Sequence, residues 1–236
     1  MKVLHVITAL EKGGAETNLY RLATGTNNNV KNYIISLKKN CYYEEKLIEK
    51  KIQVYSFNFN NIFLLLSNFY KIIKLIYTIR PDIINTWMYH ANFISIILKP
   101  FIKKEIQIIW NIRHSTFNIK YTKVKTLLII YISILFSYFI PKKIIYNSFS
   151  GKKNHEKFKY CKKKSIIILN GYDQNLFNIN STPRNTFILE NKLDKNIIIL
   201  GAIGRYRKQK NYLNLIKMLS EYKKINYKII CLLVVY

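Results

Sequence analysis

The stretch VITALEKGGAETNLYRLA, residues 6–23, runs from apolar β-formers through paired glycines into a segment of helical character. Glycine is only 7 of 236 residues, so Gly13 and Gly14 side by side raise a specific question. Glycine lets a backbone turn sharply, or lie against a ligand with no β-carbon between. If Ala15 or Glu16 begins the helix, its first N–H groups and the positive end of its dipole face outward, as a phosphate or sugar would require. The spacing is not G-x-G-x-x-G and no acidic residue closes the second strand, which argues against a nicotinamide cofactor.

The same strand, loop and helix rhythm continues along the chain. The runs KVLHVI, NYIISL, IQVYSF, DIINTW, IQIIWNI, KIIYN and SIIIL are each followed by longer segments of helical character. Strands spaced by helices predict a parallel sheet, doubly wound, with ligands at the carboxyl ends of the strands. Around residues 170–186 the segment NGYDQNLFNINSTPRNT breaks the rhythm and reads as a linker. The alternation then restarts with a helix near 184–193, the strand NIIILGAIG, a helix near 209–221 and the strand YKIICLLVVY. The expected organisation is α/β: one Rossmann-like domain over 1–170, a linker over 171–186, and the start of a second Rossmann-like domain over 187–236. Two strands cannot bury a doubly wound core, so a chain cut short in its second domain is expected.

Half of the residues are apolar, which supports a sizeable core, while 39 Lys and Arg against 12 acids give a formal charge of +27. Such a surface attracts anionic lipid, phosphorylated ligands or nucleic acid. No recognition-helix, zinc-finger or aromatic-platform motif supports specific nucleic-acid binding. The three cysteines are far apart and odd in number, with neither disulfide nor metal spacing, as in a reducing cytosol. Residues 127–140, LLIIYISILFSYFI, are apolar on nearly every face but too short to span a bilayer. They read as a buried helix, with a helix lying in the membrane interface as the alternative.

Three further motifs carry chemistry. TWMYHAN and WNIRHS read as His-bearing loops at adjacent strand ends, the first closing the fourth strand with Tyr89, His90 and Asn92 and the second closing the fifth with Arg113 and His114. GRYRKQKN offers Arg205 and Lys210 after a later strand; Arg binds phosphate oxygens in a bidentate way and Lys as a point charge.

In their order and spacing, GGAE, WMYHAN, IIWNIRHS, IIYNSFSGKKNH, NGYDQNLF and GRYRKQKN resemble the family 4 glycosyltransferases, retaining GT-B enzymes of bacterial surface-polysaccharide synthesis. The resemblance implies an acceptor-side first domain and a second domain that binds the nucleotide-sugar donor. It implies a polysaccharide or lipid-linked oligosaccharide acceptor, action at the cytoplasmic face of an anionic membrane, and no metal or other cofactor. It places Gly13 and Gly14 against the donor sugar or diphosphate, and Arg205 with Lys210 on the departing diphosphate. Where relatives carry a functional His, Arg113 takes the column and His114 follows it, both as catalytic candidates; Tyr89, His90 and Asn92 are the acceptor candidates. Asn170, Gly171, Asp173 and Phe177 match an interdomain segment. The family's two-glutamate donor motif does not occur before Tyr236, so impaired transfer, or a non-catalytic membrane- or partner-binding form, is the alternative expectation.

Overall fold

The computed structural model describes residues 1–27, 29–59, 64–115, 122–172, 181–204, 211–223 and 229–234. Two compact units emerge, Met1–Gly171 and Tyr172–Tyr236.

In the first unit the elements alternate as the hydrophobic runs predict. They are β1 (Lys2–Ile7), α1 (Gly14–Gly25), β2 (Lys31–Ser36), α2 (Tyr42–Glu49), β3 (Gln53–Ser56), α3 (Leu65–Ile79) and β4 (Ile83–Trp87). There follow α4 (Met88–Leu98), β5 (Gln107–Ile112), α5 (Val124–Phe136), β6 (Lys143–Tyr146), α6 (Phe149–Lys157) and β7 (Ser165–Ile167). The strands form one sheet in the order β3-β2-β1-β4-β5-β6-β7, parallel throughout. From β1 the chain winds outward to β3, crosses to β4 and winds the other way. The switch point therefore lies between β1 and β4, where a doubly wound sheet opens a crevice outside its carboxyl ends. Leu19, Ala23 and Leu47 of α1 and α2 pack on one face with Ile7, Ile34 and Trp87. The other face is covered by α3, α4 and α5, through Ile72, Ile76, Ala91, Ile96 and Ile130.

The second unit contains α7 (Ser181–Glu190), β8 (Ile198–Ile203), α8 (Tyr212–Lys223) and β9 (Ile229–Val234). β8 and β9 pair in parallel, from Ile198 opposite Ile229 to Ile203 opposite Val234. The helix expected near 184–193 starts earlier, at Ser181, inside the stretch read as linker.

Two local expectations are corrected. Gly13 has φ −167° and ψ 166°, extended backbone open to any residue, so the turn after β1 does not require glycine there. TWMYHAN is not a loop: β4 runs directly into α4, with Met88 at φ 72° making the junction. A side chain in the left-handed region costs about 1–2 kcal/mol. That strain replaces a connecting loop and sets Tyr89, His90 and Asn92 on the first turns of a helix.

A histidine lies inside the sheet. His5, 2% exposed at the centre of β1, is held from both neighbouring strands. The Trp87 indole N–H donates to its Nδ1 at 3.3 Å, and Asn85 Nδ2 lies 3.4 Å from the same atom. Its Nε2 is 3.1 Å from Asn32 Oδ1. Asn32 Nδ2 donates to the Ala23 carbonyl and to Thr26 Oγ1, which turns Oδ1 toward the ring. Indole N–H is a donor only, so Nδ1 accepts and the proton sits on Nε2. Burial holds this imidazole neutral down to about pH 4.

His155, fully buried in α6, is likewise pushed down to about 4 by desolvation. In the unfolded chain both rings titrate near 6.5. Between pH 6.5 and 4 the unfolded state therefore binds more protons, and stability falls as pH falls. Each ring accounts for at most roughly 3 kcal/mol of that loss. His5→Gln should flatten the fall in urea midpoint between pH 7 and pH 4.5 relative to wild type. An unchanged slope would mean that the ring titrates alike in the folded and unfolded states.

Candidate functional site

Because every strand pair is parallel, the segments after β1, β4, β5, β6 and β7 leave the sheet at one edge. They carry the candidate residues of the first unit.

After β1, a β-carbon on Gly13 would run into the Glu16 carboxylate, which folds over it; Gly14 has no atom within 4 Å of the corresponding position. The two glycines thus differ. Gly13 makes room for an acidic side chain in the first turn of α1, where it complements the helix dipole. Gly14 presents bare, exposed backbone. The loop is tied down from β2 and α2: Leu37 N–H donates to the Ile7 carbonyl and Tyr43 N–H to the Leu10 carbonyl. An ion pair joins Lys38 to Glu11.

After β4, the three acceptor candidates separate. Asn92 is fully buried and accepts from Thr86 Oγ1 at 2.6 Å, fastening α4 to the strand before it. Its side chain has no exposed surface, and it holds a structural position between helix and strand. Tyr89 is 5% exposed, and its hydroxyl lies 2.7 Å from His155 Nε2. His155 Nδ1 lies 2.7 Å from the Gly151 carbonyl, which only accepts; Nδ1 therefore carries the proton and Tyr89 donates to Nε2. Of the three, only His90 is half-exposed, its pKa lowered by partial desolvation.

After β5, Arg113 and His114 diverge, resolving which of the two is open. Arg113 folds back over the sheet. Its Nε donates to Asn111 Oδ1 at 2.9 Å, Nη1 donates to Asn170 Oδ1, and its guanidinium sits 4.7 Å from the centre of the Trp87 ring. Burial pushes its pKa down to about 10, leaving it cationic at neutral pH. His114 stacks on Tyr89, ring centres 5.7 Å apart and planes 13° from parallel, and is otherwise exposed. Desolvation on the stacked side lowers its pKa, favouring a neutral ring that both donates and accepts.

The motif after β6 supplies the support, which sequence reasoning left without a role. Ser148 caps α6 by accepting from Gly151 N–H at 3.0 Å. A β-carbon on Gly151 would lie 2.8 Å from that cap oxygen, 3.4 Å from the His114 carbonyl and 3.5 Å from Ser115 Cα. Asn154 Nδ2 donates to the Ser115 carbonyl at 3.0 Å. The first turns of α6 thus press directly on the backbone that carries His114, and His155 beneath them fixes Tyr89. The pattern S-x-x-G-x-x-N-H was legible; its contact with residues 114 and 115 was not.

Arg205, Lys210, Asp173 and Phe177 lie outside the described residues. Among the described residues, no group of three or more His, Cys, Asp or Glu is placed to hold a metal ion. Nor is any helix among them long and apolar enough to cross a membrane.

The sequence matches no protein-family model and no curated protein. Solved structures do match. HepE from Anabaena, determined with UDP, has a TM-score of 0.73 at 14% identity over 99% of this chain and 69% of its own. A glycosyltransferase from Rickettsia africae gives 0.64 at 16% identity, over 99% of this chain and 68% of its own. The lipopolysaccharide outer core galactosyltransferase WaaB gives 0.63 at 13% identity, with the same coverage of 99% and 68%. At these identities the likeness is one of fold. The chain has the α/β architecture of the GT-B glycosyltransferases, a seven-strand parallel sheet followed by the β8–β9 unit.

Gly151→Ala tests the support under His114. Alanine gains up to about 1 kcal/mol of helix propensity, but the displaced cap and carbonyl cost more, about 1–3 kcal/mol. A net loss of stability and a moved His114 ring resonance in NMR are expected. A variant as stable as wild type, with that resonance unmoved, would show that the contact has slack.

Proposed function

We propose that this chain is a nucleotide-sugar-dependent glycosyltransferase of the retaining, family 4 kind, acting on a glycan or lipid-linked glycan at the cytoplasmic face of a membrane. One observation carries the reading. Bare backbone at Gly14 and an open imidazole at His114 share the carboxyl edge of a sheet whose fold is that of HepE, solved with UDP and with UDP-glucose. WaaB, named for lipopolysaccharide outer core, lends support to a glycan acceptor.

In the proposed reaction the bond from sugar C1 to the diphosphate oxygen breaks. The acceptor oxygen bonds to C1 on the face that the diphosphate leaves. The acceptor proton passes to the departing diphosphate, giving a glycoside and a nucleoside diphosphate. The demand on the protein is to stabilise negative charge on the leaving group and positive charge near C1. Gly14 lets the donor lie against the first turn of α1. His114, neutral and stacked, hydrogen-bonds sugar hydroxyls, and His90 faces the acceptor. Arg113 braces this edge by joining Trp87 to Asn170. For the diphosphate charge the family resemblance nominates Arg205 and Lys210, which lie outside the described residues.

The purified chain should release nucleoside diphosphate from one member of a panel of nucleotide-sugars, the new anomeric centre matching the donor's by NMR. Gly14→Ala should lower kcat/KM about tenfold or more, because a methyl group enters the donor's place. Its melting temperature should hold or rise, since alanine is the better helix former. Unchanged kcat/KM would remove Gly14 from the site, and no release from any donor would overturn the reading.

A further inference from the structure

Helix α5 is buried on one side only. Ile130 and Ser133 face the core, yet its outward positions are apolar as well. Val124, Leu128, Tyr131, Leu135, Tyr138 and Phe139 are between 49% and 81% exposed. Their spacing of four, three, four and three residues, continued into the turn after the helix, makes one continuous stripe. On an ordinary solvent-facing helix these positions are polar. Here residues 126–141 contain no charged side chain at all, in a chain with 39 Lys and Arg. The charges sit at the two ends instead. Lys123 and Lys125 flank the first residue of the stripe, Lys142 and Lys143 follow its last, and all four are exposed.

We propose that this face of α5 is a docking surface for an anionic lipid bilayer, lying in the headgroup region with its apolar stripe turned into the acyl chains. Charge selects that occupant. Lysines at both ends of the stripe meet a negatively charged surface, whereas a second copy of the chain would bring another +27 against the first. The make-up of the stripe agrees. Tyr131 sets an apolar ring and a polar tip at the boundary, Tyr138 adds an exposed ring whose hydroxyl donates to the Lys159 carbonyl, and flanking lysines reach back to headgroups. The helix rests in the interface and does not cross the bilayer. This corrects the expectation of a helix buried all round, and it stands independently of any sugar transfer.

Trp87 and Trp110 are both fully buried, so the native indoles give a fixed background. Tyr131→Trp introduces an exposed one. The full chain carrying it is mixed with vesicles of phosphatidylcholine and phosphatidylglycerol, and with vesicles of phosphatidylcholine alone. With the mixed vesicles, its emission should shift to the blue and be quenched by brominated acyl chains. The double variant Leu128→Gln/Leu135→Gln should lose about tenfold or more in partition onto the same vesicles, with unchanged circular dichroism and urea midpoint. Binding with an unquenched indole, or undiminished partition of the double variant, would reduce the contact to charge alone and overturn the proposal. So would concentration-dependent self-association in sedimentation that shields the indole without lipid.

Discussion

Seven strands that all run the same way gather their carboxyl ends at one edge, and winding in two directions from β1 opens that edge between β1 and β4. Everything proposed for the site depends on this arrangement. It brings residues 14, 90, 113 and 114, separated by as many as a hundred positions, to the same rim. It also imposes a cost, because parallel strands are covered on both faces and any polar side chain within them must find partners. His5 meets that requirement by staying neutral and accepting from Trp87 while donating to Asn32. The indole so fixed supplies the ring over which Arg113 lies.

The rim is held by contacts from beneath it. Three stacked layers fix His114: the Tyr89 ring against its face, His155 holding the Tyr89 hydroxyl, and Gly151 pressing the backbone from behind. Tyr146 and Tyr160 close around His155, with ring centres 5.3 Å from it in both cases. Preorganised polar groups stabilise charge best when their own movement is restrained. A ring locked on one side and open on the other fits that requirement.

Much of the fold was legible, because β-branched runs separated by longer helical segments constrain a parallel sheet strongly. The site was legible only in part. GGAE marked the right loop, yet Gly13 serves a neighbouring carboxylate and only Gly14 is bare, a difference set by where Glu16 folds. TWMYHAN read as a loop because nothing in its letters announces a left-handed Met88. Tyr89 and Asn92 look alike in sequence as polar residues after a strand; in the fold both are buried, with partners 66 and 6 residues away. The choice between Arg113 and His114 turned on Asn170, 57 residues on, which draws the guanidinium back and leaves the imidazole outermost.

The apolar side of α5 has a consequence for solubility. Exposed positions tolerate replacement at least cost, usually within about 0.5 kcal/mol. Polar side chains in place of Val124, Leu128, Tyr131 and Leu135, all exposed, therefore leave the fold close to its original stability while shrinking the kind of greasy patch through which dissolved chains clump.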